Sequence, residues 1–177
     1  MSIDHPTIIP ECYVDTNLIG YLVHGTVNHQ HSCNKVVGTL TDKFSDRFAV
    51  GIIDKDKVEV GYLRRCTQIA ASEHLGIWKH NDLPHFLITM SPAVDKFILD
   101  CAREQNVKTE TFGLPSQLKD FLMRTKTITS GKDPNLRRLI EAIRDNREMV
   151  ALNGVLQYLI NQTYQASSES ISAFFER

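Results

Sequence analysis

A wholly apolar segment that ends at two acidic residues lies in the first third of the chain. Residues 48–53 read Phe-Ala-Val-Gly-Ile-Ile, and Asp54-Lys55-Asp56 follow directly. Short runs rich in β-branched and aromatic residues are typical of strands buried on both faces of a mostly parallel sheet. In open α/β sheets, ligands bind beyond the carboxyl ends of such strands. The segment therefore predicts a central strand that delivers Asp54 and Asp56 to a functional site.

The spacing of the two aspartates allows two interpretations. If the chain stays extended, alternate residues share one side, so both carboxylates point the same way and Lys55 points away. Two such carboxylates are hard oxygen ligands suited to Mg²⁺ or Mn²⁺. In the alternative, residues 54–57 form a solvated turn in which Asp56 caps the next helix. This stretch alone does not decide between the two.

Length and charge set broad limits on what the chain can be. With 177 residues it is long enough for one ordinary domain with its own core. Its net charge is -1 and its isoelectric point is about 6.6, so it lacks the overall basic field that attracts nucleic acid. Nucleic-acid binding would require a local basic patch.

The cysteines and the apolar segments bear on cellular location. The four cysteines are widely spaced and form no Cys-x-x-Cys pair, and the N-terminus lacks a basic segment followed by an apolar one. No apolar stretch approaches the ~20 residues that a membrane helix requires. We therefore expect a cytoplasmic protein with reduced thiols and no membrane span.

The segment before residue 48 predicts a strand, a helix and a crossover helix. Residues 7–9 (Thr-Ile-Ile) form a short β-rich run, and Glu11 lies just beyond its end. Asp-Thr-Asn at 15–17 is a favourable helix start, and Ser32 is the expected N-cap of a second helix. Glu11 thus occupies the same kind of position as Asp54, although a glutamate there also suits the start of the following helix.

Three potential zinc ligands alternate in the loop before the second helix. They are His29, His31 and Cys33. No second ligand pair follows at finger-like spacing, which argues against structural zinc. A loop that leads to the capping Ser32 is the favoured interpretation.

The middle of the chain predicts one more strand between two helices. The spacing of apolar residues indicates a helix over 58–75, which would carry Arg64, and then a connector over 76–82. Residues 85–90 form a third apolar strand. A helix over 92–104 follows it, with proline at the first helical position.

Later segments add two candidate site features and a helical end. Asp95, in the first turn of the 92–104 helix, is either a further acidic ligand or a residue favoured by the helix dipole. Residues 125–132 form a loop with hydroxyls and lysines that could meet phosphate, although it lacks the Walker pattern. The remaining segments with helical spacing are 118–123, 135–143 and 149–164.

The order strand, glutamate, helix, crossover, strand, Asp-x-Asp resembles the Toprim fold of topoisomerases, primases and related nucleases. Here Thr7-Ile8-Ile9-Pro10-Glu11 matches the first motif of that family, and Val50-Gly51-Ile52-Ile53-Asp54-Lys55-Asp56 matches the second. The resemblance covers residues 7–104 and extends to small Toprim-like proteins of bacterial defence systems, some of which accompany an ATPase. The chain departs from the family in having Cys12 where a glycine usually follows the glutamate.

The resemblance implies the fold class. We expect an α/β protein with a mostly parallel, Toprim-like sheet flanked by helices over residues 1–106. A helical C-terminal extension over residues 107–177 would pack on this core to form one globular unit.

The resemblance also implies an activity. Glu11, Asp54 and Asp56 would be catalytic residues that hold Mg²⁺ or Mn²⁺, and Asp95 would be a further metal ligand. The metal would polarise a phosphodiester, activate a water and stabilise charge on the leaving oxygen. The expected activity is therefore metal-dependent cleavage of nucleic acid. The residues expected to clamp phosphate are Lys57, Arg64 and Lys126.

Two alternatives stay open at this point. The first is a non-catalytic Toprim-like module that binds an ATPase partner or nucleic acid, an interpretation favoured by the missing glycine at Cys12. The second is a PIN-like ribonuclease, because Val14-Asp15-Thr16-Asn17-Leu18 resembles the opening motif in which an aspartate binds metal. The strand before Asp15 is a poor match to that family, and Asp54 comes too early for its later acids.

Overall fold

A five-stranded sheet carries both of the acid-bearing strands predicted from the sequence. It belongs to a computed structural model that describes residues 3–55 and 61–176. The strands among these residues are β1 (Ile3–His5), β2 (Ile8–Pro10), β3 (Gly25–Val27), β4 (Ala49–Asp54), β5 (Cys66–Ala71), β6 (Leu75–His80) and β7 (His85–Met90). The large sheet has the order β2-β4-β7-β6-β5, and β1 pairs with β3 separately. Asp56 and Lys57 lie outside the described residues, so their roles stay predictions.

The large sheet is half parallel and half antiparallel. β2, β4 and β7 are parallel neighbours, with Ile8 opposite Val50 and Val50 opposite Phe86. β6 runs antiparallel to both β7 and β5. The expectation of a mostly parallel sheet is therefore not confirmed. The short connections explain the antiparallel half, because parallel neighbours require a crossover of a dozen or more residues.

The antiparallel half occupies a region for which the sequence predicted a helix. The predicted helix over 58–75 and connector over 76–82 are wrong for the described residues, where a 3₁₀ turn at Leu63–Arg65 precedes β5 and β6. A register shift between Gln68 and Ala70 interrupts the regular alternation of β5. Because this bulge removes the period of two from the sequence, pairing with β6 decides the structure and local spacing does not.

Helices lie between β2 and β4, follow β7, and account for every regular element described after residue 107. They are α1 (Tyr13–Leu22), α2 (Cys33–Gly38), α3 (Val94–Glu104), α4 (Leu118–Thr125), α5 (Pro134–Ala142), α6 (Arg147–Gln162) and α7 (Ser168–Ser172), with short helical turns at Thr39–Lys43, Thr109–Phe112 and Thr163–Gln165. Ser32 caps α2 as predicted, since its Oγ accepts the Lys35 N–H at 3.3 Å. Among the described helices, none combines the length and apolar character needed to cross a membrane.

β4 is buried on both faces, as its apolar sequence predicts. Val50 and Ile52 belong to the larger hydrophobic cluster, which also includes residues of α1, α3, α5 and α6. Ala49 and Ile53 belong to a smaller cluster that includes residues of α2. Full burial of one aliphatic side chain stabilises the fold by about 1.5–3 kcal/mol. The two clusters therefore fix the position of β4, and with it the position of the acidic residue at its end.

Substitution of Gly51 in β4 tests how tightly this strand is packed. A Cβ atom added there would lie 2.8 Å from Leu87 Cδ2 and 2.9 Å from Val36 Cγ1. Both neighbours are buried, so we expect Gly51→Ala to lower the free energy of unfolding by about 1–3 kcal/mol in urea denaturation. Gly61→Ala is the matched control, because no atom lies within 4 Å of its added Cβ. Equal stability of the two variants would contradict close packing around β4.

A buried ion-pair network ties the turn between β5 and β6 to α3 and α6. His74 is 4% exposed, and its ring nitrogens lie 2.5 Å from Glu148 Oε2 and 2.9 Å from Asp100 Oδ2. Asp100 also accepts hydrogen bonds from Lys96 and Arg103. Both ring nitrogens of an imidazolium are donors, so the charged ring satisfies both carboxylates at once. The network thereby attaches the antiparallel half of the sheet to the helices.

Candidate acidic site at the strand ends

Two of the predicted site residues meet at the carboxyl ends of neighbouring parallel strands. Glu11 directly follows β2, Asp54 ends β4, and both are 3% exposed. The Glu11 Oε2 atom accepts the backbone N–H of Asp54 at 3.3 Å. Their proximity follows from the parallel pairing, which places Pro10 opposite Ile52. Glu11 and Asp54 therefore lie together, as expected for residues at the carboxyl ends of neighbouring parallel strands. The predicted Asp56 lies outside the described residues.

The Asp54 carboxylate also has a structural task. Its Oδ1 atom accepts the backbone N–H of Val94, the first residue of α3, at 3.0 Å. The residue in the N-cap position of α3 is Ala93, whose side chain has no acceptor. Asp54 therefore takes over the capping role from another element and ties the end of β4 to the start of α3.

A third carboxyl group, that of Asp15, lies beside this pair. Asp15 is 0% exposed. It forms a capping box with Cys12: its Oδ2 accepts the Cys12 N–H at 3.2 Å, and the Cys12 Sγ accepts the Asp15 N–H at 3.5 Å. Its Oδ1 is buried and has no hydrogen-bond partner among the described residues. Such an oxygen is costly unless it carries a proton or faces a cation.

The Asp15 carboxyl group lies in a buried environment that disfavours its negative charge. Burial raises the pKa of the Asp15 carboxyl, and the negative charges of Asp54 and Glu11 raise it further. From the sequence, Asp15 was expected at a helix start, and as a metal ligand only in the PIN-like alternative. The signal that would have placed it here is the spacing of Cys12 and Asp15, which matches a capping box with cysteine in place of serine.

The surroundings of Cys12 do not favour a nucleophilic role for its thiol. Burial raises the pKa of its thiol far above its usual range, and the neighbouring Asp15 raises it further. The thiolate is the reactive form of cysteine, and these surroundings favour the less reactive thiol form. The chemistry available at the strand ends is therefore that of carboxylates.

The donor chemistry suits a hard divalent cation, but the described residues do not complete a ligand set. Glu11 and Asp54 supply oxygen ligands of the kind that Mg²⁺ and Mn²⁺ prefer. The unpartnered Oδ1 of Asp15 is a buried oxygen that a nearby cation would stabilise. Within residues 3–55 and 61–176, no group of three or more His, Cys, Asp or Glu side chains is arranged to hold a metal ion. A complete site of the predicted kind requires Asp56.

Asp95 lies on the same side of the sheet but is engaged in packing. It is in the first turn of α3, as predicted, and is 8% exposed. Its Oδ1 accepts the hydroxyl of Thr125 at 2.6 Å, which ties α3 to the end of α4. The predicted role as a metal ligand stays a prediction, and the contact with Thr125 gives Asp95 a structural role.

A cavity of about 440 Å³ opens beside the acidic residues. It is lined by Asp54 and Asp95 and by the first turns of α1 and α3. α4 supplies Leu118, Leu122 and Thr125 to the lining, and Lys126 follows α4 directly. The apolar wall of this cavity was not identified from the sequence, because α4 is separated from the acidic motifs by many residues.

Of the two described residues expected to clamp phosphate, Lys126 lines this cavity and Arg64 does not. Lys57 lies outside the described residues. Arg64 belongs to the turn that precedes β5. Tyr62, which precedes this turn, has its hydroxyl 2.5 Å from Nδ1 of His85, the first residue of β7. That end of the sheet is about 17 Å along the strand from the acidic end. Arg64 therefore lies toward the opposite end of the sheet from the acidic residues.

The loop that follows α4 is fixed to α1 by one buried amide. Asn17 is 0% exposed, and its Nδ2 donates to the carbonyl oxygen of Ser130 at 2.7 Å. Its Oδ1 accepts the Asp133 N–H at 2.7 Å. The hydroxyl- and lysine-rich loop predicted from the sequence is thus held beside the acidic site, and Lys126 lies at its start.

The three potential zinc ligands show packing contacts. The ring of His29 stacks on Tyr13 at 4.0 Å between centroids, and its Nδ1 lies 2.8 Å from the Thr16 hydroxyl. His31 contacts the His29 ring edge-on, and Cys33 is buried at the start of α2. In the part of the chain that the structure describes, these residues belong to no group suited to hold a metal ion.

Comparison with known proteins yields no relative from which an activity could be transferred. No protein-family model matches the chain, and no curated protein or solved structure matches it. The resemblance to Toprim proteins accordingly rests on Glu11, Asp54 and the order of the elements. A function for this chain has to be argued from the chemistry of the acidic site.

Proposed function

We propose that the acidic site binds Mg²⁺ or Mn²⁺ and that the protein cleaves phosphodiester bonds of nucleic acid. Glu11, Asp54 and Asp56 are the proposed ligands. The observation that carries the proposal is a buried Asp15 oxygen without a hydrogen-bond partner among the described residues, next to the carboxylates of Glu11 and Asp54. Negative charge of this density in a buried position favours a cation.

The protein itself orients two of the proposed ligands and attracts the phosphate. The backbone N–H groups of Asp54 and Val94 orient the Glu11 and Asp54 carboxylates. Lys126 lines the cavity, where its charge attracts a phosphate group. Glu11, Asp54 and Asp56 would hold the cation, which when bound would supply Lewis-acid polarisation of a phosphate. The apolar lining of the cavity lowers the local polarity, which strengthens these electrostatic contacts.

A non-catalytic module is the second candidate. It is favoured by the capping contacts, because the carboxylates of Asp54 and Asp15 both stabilise helix starts and so have a role in the fold without any cation. In that case the Toprim-like scaffold binds nucleic acid or an ATPase partner without cleavage.

Cation binding is tested by calorimetric titration and thermal melting with Mg²⁺ and Mn²⁺. We expect a melting temperature higher by roughly 5–10 °C at a hundredfold excess over Kd, because a ligand that binds only the folded state adds about 2.7 kcal/mol. Labelled DNA and RNA, single- and double-stranded, then report cleavage. Binding without cleavage would favour the non-catalytic module. Unchanged melting together with no heat of binding would contradict the cation site.

A further inference from the structure

We propose that the cavity beside the acidic site binds one nucleoside monophosphate unit, either free or at the end of a nucleic-acid chain. The phosphate lies toward Lys126, and the nucleoside lies against the apolar wall. This inference rests on the proposed function, because it names the substrate unit of the same site. It also makes a separate claim about ligand size and wall contacts.

The size of the cavity favours a small ligand. Its volume of about 440 Å³ falls within the range of ~300–1,000 Å³ typical of small-molecule sites. It lies where ligands of α/β sheets collect, beyond the carboxyl end of β4. A duplex would instead need a broad basic surface, and the chain has a net charge of -1.

The wall of the cavity offers apolar surface for a base and a sugar. α4 contributes Leu118 and Leu122, and Ile128 follows in the next loop. Tyr13 and Val14 from the first turn of α1 complete this side. The stacking of Tyr13 on His29 at 4.0 Å holds its ring in place. Apolar walls with a few polar groups are the usual composition of a ligand pocket.

Charges of both signs line the same cavity. Lys96 is one of the two lysines, and its ammonium group already binds Asp100. None of the ion pairs seen among the described residues includes Lys126, which is exposed. Lys126 is therefore the cation suited to a phosphate, while Asp54 and Asp95 provide the acidic side. A phosphate monoester, which carries negative charge next to an apolar body, matches this distribution.

The hydrogen bond between Thr125 and Asp95 holds the end of α4 next to the start of α3, and so holds the apolar wall beside the acidic site. Thr125 is the last residue of α4 and precedes Lys126, and its hydroxyl donates to Asp95 at 2.6 Å. The distance between the apolar wall and the acidic side is thus fixed by the fold. A ligand of defined length is therefore required to reach both.

The test uses two tryptophan variants of α4. Leu122→Trp places an indole in the cavity, whereas Met123→Trp changes the next residue, which is 55% exposed and does not line the cavity. Each full-length protein is titrated by calorimetry with nucleoside 5′-monophosphates, inorganic phosphate and short single-stranded oligonucleotides. Leu118→Trp, at a position 37% exposed on the cavity rim, repeats the test if Leu122→Trp does not fold.

We expect nucleoside monophosphates to bind the natural protein about tenfold or more tightly than inorganic phosphate, because only they use the apolar wall. Leu122→Trp should weaken that binding about tenfold or more, and Met123→Trp should leave it within about twofold. An oligonucleotide with a terminal phosphate should compete with the free nucleotide if the end of a nucleic-acid chain enters the cavity.

Three results would overturn the inference: no nucleotide binding at millimolar concentration, equal binding by Leu122→Trp, or binding of oligonucleotides alone. Titration of Leu122→Trp with Mn²⁺ separates this outcome from failure of the proposed function. Leu122 is not among the proposed ligands, so Mn²⁺ binding in that variant reports only on the acidic residues. Absence of Mn²⁺ binding by the natural protein would contradict the cation site. Nucleotide binding by the natural protein and by Leu122→Trp would still decide the inference about the cavity.

Discussion

Asp54→Asn is expected to abolish cation binding and to reduce phosphodiester cleavage by at least about 100-fold, equivalent to ~2.7 kcal/mol. The variant removes one negative charge and keeps an oxygen at the same position. That oxygen can still accept the Val94 N–H, so α3 keeps its cap. In cation-free buffer, the loss of like-charge repulsion toward Asp15 should lower the pKa of the Asp15 carboxyl and leave stability equal or higher.

Two further variants separate charge from capping. Asp54→Ala removes both, so it should lose cation binding and also about 1 kcal/mol of stability from the uncapped α3. Asp82→Asn is the control, because Asp82 is exposed in the turn at the opposite end of the sheet. Calorimetry with Mn²⁺ and urea denaturation measure the two effects. Full activity in Asp54→Asn would remove Asp54 from the site.

The largest effect on stability is expected from His74→Ala. Removal of one member of a buried, hydrogen-bonded charge network typically costs about 3–5 kcal/mol, because the remaining charges stay buried. Here the remaining charges are the carboxylates of Asp100 and Glu148, of which Asp100 retains Lys96 and Arg103 as partners. We therefore expect a loss near 3 kcal/mol in urea denaturation at neutral pH. Glu73→Ala, at the exposed neighbouring residue, should stay within about 0.5 kcal/mol.

The contribution of this network depends on pH in a defined direction. Burial alone lowers the pKa of His74, but hydrogen bonds to Glu148 and Asp100 outweigh it and raise the pKa overall. Burial raises the pKa of Asp100 and Glu148, and their hydrogen bonds, from Lys96 and His74 among others, lower it overall. The histidine contribution is therefore complete below its unfolded pKa of about 6.5 and is lost as pH rises through the raised pKa.

The carboxylates act in the opposite direction. Their contribution is complete above unfolded pKa values of about 3.9–4.3 and is lost as pH falls through the lowered values. The difference in stability between the natural protein and His74→Ala should thus be greatest from about pH 4.5 to 6.5 and should shrink at higher pH. Urea denaturation across pH 4–9 checks this expectation, and a difference that is independent of pH would contradict it.

The two longer strands of the parallel half were predictable because their signals are local. The apolar runs that became β4 and β7 are each long enough to form a strand, and both are buried along their whole length. β6 gave a weaker signal, because its apolar residues end at Trp78 and are followed by Lys79 and His80. A Cβ atom at Gly76 would lie 2.6 Å from Thr89 Oγ1, so the glycine is explained by the neighbouring strand. A contact of this kind is invisible in the local sequence.

The acidic site was predictable in part for a similar reason. The strand-end rule brings Glu11 and Asp54 together because both follow directly from strands that are parallel neighbours. The burial of Asp15 and the capping of α3 by Asp54 depend on how helices pack, which the sequence does not state. The same holds for His74, whose partners Asp100 and Glu148 are 26 and 74 positions away in the chain.

The bond between Asp54 and Val94 affects how affinities at the acidic site should be understood. A ligand that draws the Asp54 carboxylate toward itself competes with the first backbone N–H of α3 for the same oxygen. Any affinity measured for such a ligand is then a net value, from which the cost of fraying the helix start has been subtracted. By thermodynamic reciprocity, conditions that hold α3 more firmly in its capped form weaken that ligand, and conditions that loosen the helix start strengthen it.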